Sequence, residues 1–285
     1  HSANNNGAHS DSQAPPTVNT LLWIGGLFDT LAHVRYPFTL ASGLPPPWTL
    51  AQLSLSSAGR AWGVSSLDSD VADLANAIAY FRGLRPGGRI VLMGHSTGCQ
   101  DALHYLSSAS AGNDRPMVDG IILQAPVSDR EALVNQIGAE AVERANAAAL
   151  AMREQGREGD CIPMALLKPL QWDLGITASR WLSLASLGGE DDMFSSDLKD
   201  TRLEETFGRI PKNMHVLLLS SGADEYVSKH VDVPAMLKRW AGFAERAGAR
   251  VHKSSTNQVP GATHDLATVP DSVVRELIDR VVGFL

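Results

Sequence analysis

Cysteine is almost missing from this chain: Cys99 and Cys161 are the only two in 285 residues. Two thiols cannot build a disulfide framework or, alone, a four-ligand zinc site, and they fit a reducing compartment. Positive charge is in deficit, with 24 Lys and Arg against 31 Asp and Glu, a net charge of −7 and no basic block. That balance argues against nucleic acid or an anionic membrane surface as the main partner. No apolar run approaches the roughly 18 residues a membrane-spanning helix needs. Also missing are a G-x-G-x-x-G fingerprint, a G-x-x-x-x-G-K-[ST] phosphate loop and any H-x-x-x-H pair. The sequence therefore offers no dinucleotide, nucleotide-phosphate or helical metal site, and neither cofactor nor metal is expected.

What is present is core material. Apolar residues make up 44 % and charged residues 19 % of the chain, enough to bury a large core and incompatible with disorder of the whole. The opening HSANNNGAHSDSQAPP lacks the apolar centre of a signal peptide, so residues 1–16 are expected to be a flexible tail and the protein cytoplasmic. Residues 17–285 are expected to form one domain.

Several apolar runs lack alternation, as strands covered on both faces do: Val18 to Ile24, Arg89 to Met93, Val118 to Gln124 and His215 to Ser220. Trp48 to Leu55 and, more weakly, Arg250 to Ser254 add two strand candidates. Between them, Asp68 to Leu84 carries Val71, Leu74, Ala75, Ile78 and Phe81 at helical spacing, with Ser66 as a cap, and Cys99 to Ser107 and Ser272 to Leu285 also read as helices. Strands alternating with helices imply crossovers and a mostly parallel central sheet flanked by helices. The stretch 129–210 breaks the pattern. Glu131 to Gln155 is Ala-rich and helical and Leu166 to Leu187 carries Trp172 and Trp181, so this stretch is expected to be a helical cap inserted over the carboxyl edge of the sheet.

Gly94-His95-Ser96-Thr97-Gly98 fits G-x-S-x-G, with an apolar strand before it and a helix after it, the setting of the nucleophile elbow of α/β hydrolases. The sharp turn needs glycines for close strand–helix packing and leaves the serine hydroxyl projecting from the sheet edge. The plain alternative is a strand-to-helix turn with a capping serine. A serine needs a base and the base an orienting carboxylate, in the chain order Ser, acid, His. His264, in the Gly261-Ala262-Thr263-His264-Asp265 loop before the last helix, is the candidate base. His104 should point away from the catalytic edge, His215 opens a strand at the wrong end, and His230 lies too near the acid. Asp224, a few residues beyond HVLLLS, is the candidate acid, ahead of Glu225. The backbone N–H groups of Thr97 and of Leu27, in the Gly25-Gly26-Leu27-Phe28-Asp29 loop, are expected to form the oxyanion hole, with Gly26 one position away. Gly26, Phe28, Trp62 and Trp172 are candidate substrate contacts, Cys99 a small buried residue, and Arg60 and Arg180 solvated surface.

The stretches Ala58-Gly59-Arg60-Ala61-Trp62-Gly63, Val91-Leu92-Met93-Gly94-His95-Ser96-Thr97-Gly98-Cys99, Ile122-Leu123-Gln124-Ala125-Pro126-Val127-Ser128-Asp129 and Asp224-Glu225-Tyr226-Val227 resemble the fungal siderophore-ester hydrolases, a branch of the α/β hydrolases acting on fusarinine-type ferric siderophores. The resemblance runs from about Leu21 onward and is weakest over 139–208. It implies the triad Ser96, Asp224 and His264, and a small-molecule partner, an ester linking hydroxamate units whose iron belongs to the substrate. The competing expectations are a carboxylesterase or thioesterase on another small ester, and a non-catalytic binding protein on a hydrolase scaffold, whose signature would be a lost triad member.

Overall fold

The computed structural model describes residues 17–108 and 115–285; the expected tail at 1–16 lies outside the described residues. Six parallel strands form a single sheet in the order β2-β1-β3-β4-β5-β6: β1 (Asn19–Ile24), β2 (Trp48–Gln52), β3 (Ile90–His95), β4 (Gly120–Gln124), β5 (His215–Leu219) and the two-residue β6 (Arg250–Val251). The last expected strand is short because Lys253–Thr256 turns into a 3-10 helix, its Ser254 N–H donating to the His252 ring.

The unbroken apolar runs are explained by the two sheet faces. Alternate residues serve opposite layers: Leu22, Ile24, Leu92, Ile121, Leu123 and Leu218 on one side, and Leu21, Trp23, Val91, Met93, Ile122 and Leu217 on the other. With both faces covered, a strand has no solvent side on which to place polar residues. The first layer is closed by α2 (Leu67–Leu84), α3 (Gly98–Ser107) and α9 (Val233–Arg246), the second by α1 (Tyr36–Gly43) and α10 (Asp271–Phe284). Helix α2 begins where Ser66 accepts the Ser69 N–H, with Asp68 and Asp70 in the first turn as the helix dipole favours.

The stretch expected to be Ala-rich and helical forms two helices, α4 (Asp129–Ile137) and α5 (Ala139–Glu154). They part at Gly138, whose φ of +84° lies in the region an L side chain avoids. The short α6 (Met164–Leu167) and α7 (Ala178–Ala185) pack with them around Val142, Ala149, Leu167, Ile176 and Trp181, an apolar cluster separate from both sheet layers. Helix α8 (Asp200–Glu205) leads back to the sheet. No helix among the described residues is long and apolar enough to cross a membrane.

Candidate active site

Strand β3 delivers Ser96 into a turn with φ +54°, a left-handed conformation costly for a residue with a Cβ. The two elbow glycines hold that turn by sterics. A Cβ on Gly94 would fall 2.2 Å from Gly98 O, and one on Gly98 would fall 2.6 Å from Ile24 O. The Ser96 N–H donates to Gln124 O (3.1 Å) and the Cys99 N–H to Ser96 O (2.9 Å), so the turn is stitched to β4 and to the start of α3. The Gly25-Gly26 loop crosses so near that a Cβ on Gly26 would stand 2.6 Å from Ser96 Cβ.

His264 comes from the loop before α10, held by Ala223 N–H to Ala262 O (2.8 Å) and Gly222 N–H to Val259 O (2.9 Å). Its own N–H donates to Glu225 Oε2 at 3.0 Å, and its Nδ1–H to Asp224 Oδ2 at 2.8 Å. Asp224 Oδ1 accepts the Tyr226 N–H at 3.1 Å, so both oxygens of this buried carboxylate are engaged. With Nδ1 committed, Nε2 is the nitrogen left to take a proton. Burial alone pushes the imidazole pKa down; the Asp224 hydrogen bond and the charges of Asp224, Glu225 and Asp265 outweigh it, and the net shift is upward. Ser96 and His264 line one cavity of about 330 Å³. No hydrogen bond joins them among the described residues, a looseness common before substrate binds.

The two expected oxyanion donors are distinguished from Gly26. The Gly26 N–H is spent on Asp29 Oδ2 at 2.7 Å, whereas those of Leu27 and Thr97 meet no acceptor among the described residues. Gly26, Phe28 and Trp172 line the cavity. Trp62 does not: it is buried behind the wall, packed edge-on against Phe28 (5.3 Å between ring centres) and Trp172 (5.4 Å). The cavity took its aromatic neighbour instead, and Trp62 acts as backing.

Arg180 corrects another expectation. Rather than solvated, its side chain is 3 % exposed and bonded to Asp191 Oδ2 at 2.6 Å. Arg60 does sit on the surface, paired with Asp173 at 3.0 Å. Cys99 is fully buried, its Sγ near Gly94 O and Gln124 O, and burial pushes its pKa up. The described residues contain one grouping with metal-ligand geometry, Asp68, His104 and Glu190. His104 Nε2 there is 3.0 Å from Asp68 and 3.7 Å from Glu190, outside the Ser96 cavity.

Sequence reasoning missed Gln124. It ends an apolar strand, pairs in register with His95 and is wholly buried. Its Nε2 donates to His264 O (3.3 Å) and its Oε1 accepts from Tyr36 Oη (3.0 Å) and from His95 Nδ1 (2.5 Å). Tyr36 Oη in turn accepts from Trp23 Nε1 at 2.9 Å. This chain joins the elbow to the His264 loop beneath the cavity. A lone polar residue closing the run VDGIILQ was the available signal; its partners, from β1, α1, β3 and the His264 loop, were not.

Comparison with known proteins agrees with this architecture. A family model described as "Protein of unknown function (DUF1749)" matches residues 5–285. The chain is 35 % identical to the fusarinine C esterase sidJ of Aspergillus fumigatus, over 94 % of this chain and 88 % of that protein. Among solved structures, the siderophore hydrolase EstB from Aspergillus fumigatus superposes with a TM-score of 0.79 at 32 % identity, covering 96 % of this chain and 92 % of the other. A protein of unknown function with the α/β-hydrolase fold gives 0.59 at 18 % identity, covering 93 % and 86 %. The fold is thus that of the α/β hydrolases.

Proposed function

The chain belongs to the DUF1749 family, and we propose that it is a serine hydrolase that cleaves ester bonds of a hydroxamate, fusarinine-type siderophore and so helps to release iron inside the cell. Two of the relatives named above are a fusarinine C esterase and a siderophore hydrolase. The observation that carries the assignment of residues is the Asp224–His264 hydrogen bond of 2.8 Å at the wall of the cavity into which the strained Ser96 turn opens.

In this reading His264 Nε2 takes the Ser96 proton as Oγ attacks the ester carbonyl. The negative charge moves to the carbonyl oxygen, where the free N–H groups of Leu27 and Thr97 receive it at the start of α3. His264 returns the proton to the departing alcohol, leaving an acyl group on Ser96. A water molecule, deprotonated by the same nitrogen, then releases the acid. Asp224 holds the ring orientation and steadies the imidazolium that forms twice per cycle. Iron travels with the substrate. The helices between Asp129 and Ile210 act as a cap, giving Asp129, Leu133, Trp172 and Leu184 to the cavity wall.

The test is Ser96→Ala, assayed by mass spectrometry of an ester siderophore. Turnover should fall by about 10³-fold or more with the melting temperature preserved. Activity within tenfold of wild type removes Ser96 from the mechanism. A rate on short nitrophenyl esters far above that on the siderophore replaces the substrate assignment with a general carboxylesterase.

A further inference from the structure

Nothing within the triad fixes how far Ser96 stands from His264. Each is anchored in its own loop, and no hydrogen bond joins the two among the described residues. Their separation has to be set by a residue that touches both loops, and Gln124 does. Its main-chain carbonyl accepts the Ser96 N–H at 3.1 Å, and its side-chain Nε2 donates to His264 O at 3.3 Å. A wholly buried amide at the end of an apolar strand is costly unless it is bonded. A leucine there would pack as well and hold neither loop.

The direction of each bond in the network is fixed. Trp23 Nε1 can only donate, so the Tyr36 hydroxyl that receives it turns its own hydrogen to Gln124 Oε1. His264 O can only accept, so Nε2 is the amide atom on that side. Oε1 is then the atom 2.5 Å from His95 Nδ1, and that nitrogen carries the hydrogen. The amide cannot turn over without setting its oxygen against His264 O, acceptor to acceptor. His95 directly precedes Ser96, and its ring lies 5.0 Å from that of His264. One side chain thus grips the neighbour of the nucleophile and the backbone of the base.

We propose that Gln124 is a positioning residue of this hydrolase, a fixed spacer that sets the separation of Ser96 Oγ from His264 Nε2. The inference rests on the reading of those two groups as nucleophile and base. A displacement of about 1 Å in such a pair costs on the order of 10²-fold in rate.

The test reads the attack step alone, with diethyl p-nitrophenyl phosphate, which phosphorylates a reactive serine as nitrophenolate leaves. Peptide mass spectrometry should find the label on wild-type Ser96; no label there overturns the nucleophile, and the spacer with it. Gln124→Met keeps the side-chain length and loses the amide, so labelling should slow by about 10- to 100-fold. Ester hydrolysis should lose kcat in step, with KM within about threefold. The acid limb of the labelling rate should also move down in pH, because a loosened His264 keeps less of the Asp224 bond that raises its pKa. Tyr36→Phe is the structural comparison. It takes one bond from the same amide but leaves those to His95 and His264, so it should lower stability and keep the labelling rate within about threefold. Labelling of Gln124→Met at the wild-type rate, or equal slowing in Tyr36→Phe, overturns the spacer while Ser96 stands. If Gln124→Met does not fold, the histidine 15N spectrum of wild type decides. His95, identified by its absence from His95→Asn, should carry hydrogen on Nδ1; hydrogen on Nε2 instead means that the amide does not donate to His264 O, and the spacer is overturned.

Discussion

Asp224 and Asp191 are both buried carboxylates beside a base, and they are held in opposite ways. Asp224 has both oxygens bonded, one to His264 and one to the Tyr226 N–H, and its base lines an open cavity. Asp191 has one oxygen on Arg180 and Ser183, at 2.6 Å each, and its other oxygen has no partner among the described residues. Around it the same holds for Arg180 Nε and for Asp70 Oδ1. Buried charges this incompletely bonded are expensive to keep. What the Arg180 cluster does is join elements: α7 through Arg180, the loop after it through Asp191, and α2 and α3 through the carboxyl groups of Asp70 and Asp101. The contrast teaches that an acid–base pair becomes chemistry when its proton has somewhere to go. Arg180 keeps its proton and, enclosed on all sides with Asp191, serves as an anchor.

If that contrast is right, breaking the two pairs will damage different properties. Asp224→Asn carries the largest expected effect: kcat should fall by about 10⁴-fold, since the imidazole loses both its tautomer and its support, while calorimetric melting changes little. The same pair sets a pH limb. With its pKa raised, His264 becomes protonated from a higher pH than an ordinary histidine, so wild-type kcat/KM should fall as pH drops through that raised value. Arg180→Met should do the reverse. It leaves the Asp191 carboxylate uncompensated in the interior, at a cost of about 3–5 kcal/mol in denaturant unfolding. The folded fraction should retain kcat within a few-fold. An Arg180→Met protein as stable as wild type but catalytically dead would collapse the distinction.

The satisfied pair was legible in the sequence and the anchor was not, for a physical reason. Ser96 announces itself through two glycines at fixed spacing, and the order Ser, acid, His follows from the way a parallel sheet presents successive strand ends along one edge. The strands were readable because a two-faced sheet demands unbroken apolar runs such as LLWI and IVLM. Arg180 sits in a short amphipathic helix whose pattern is equally consistent with a solvated arginine. Its fate depends on Asp191, Asp101 and Asp70, brought together from three separate segments. Trp62 and Trp172 differ only in which one the other covers, a packing outcome with no local signature. The break at Gly138 also went unread: a lone glycine inside an Ala-rich helical stretch is tolerated in many helices, so only its positive φ in the structure separates α4 from α5.

The smallest expected effect sharpens the contrast most, because it separates an anchor made of charge from one made of protonated acid. Asp70, 3 % exposed, has its pKa pushed up to about 6 from an ordinary 3.8, first by burial and then by Asp191 and Asp73, against the opposing pull of Ser57 and Arg180. A carboxyl group with a raised folded-state pKa favours the folded state fully only below its unfolded value. That contribution is lost as pH rises through the folded value, because the unfolded chain then holds fewer protons than the native one. Wild type should therefore lose part of its stability between about pH 4 and pH 6 for this reason. Asp70→Asn, which keeps the shape and cannot ionise, should flatten that decline and be as stable as wild type, or slightly more so, at pH 7. Melting curves of the two proteins across this range decide it. If the asparagine variant instead melts several degrees lower at pH 7, the ionised Asp70 is a full partner of Arg180, and the anchor is a true ion-pair network rather than one guanidinium shared among reluctant acids.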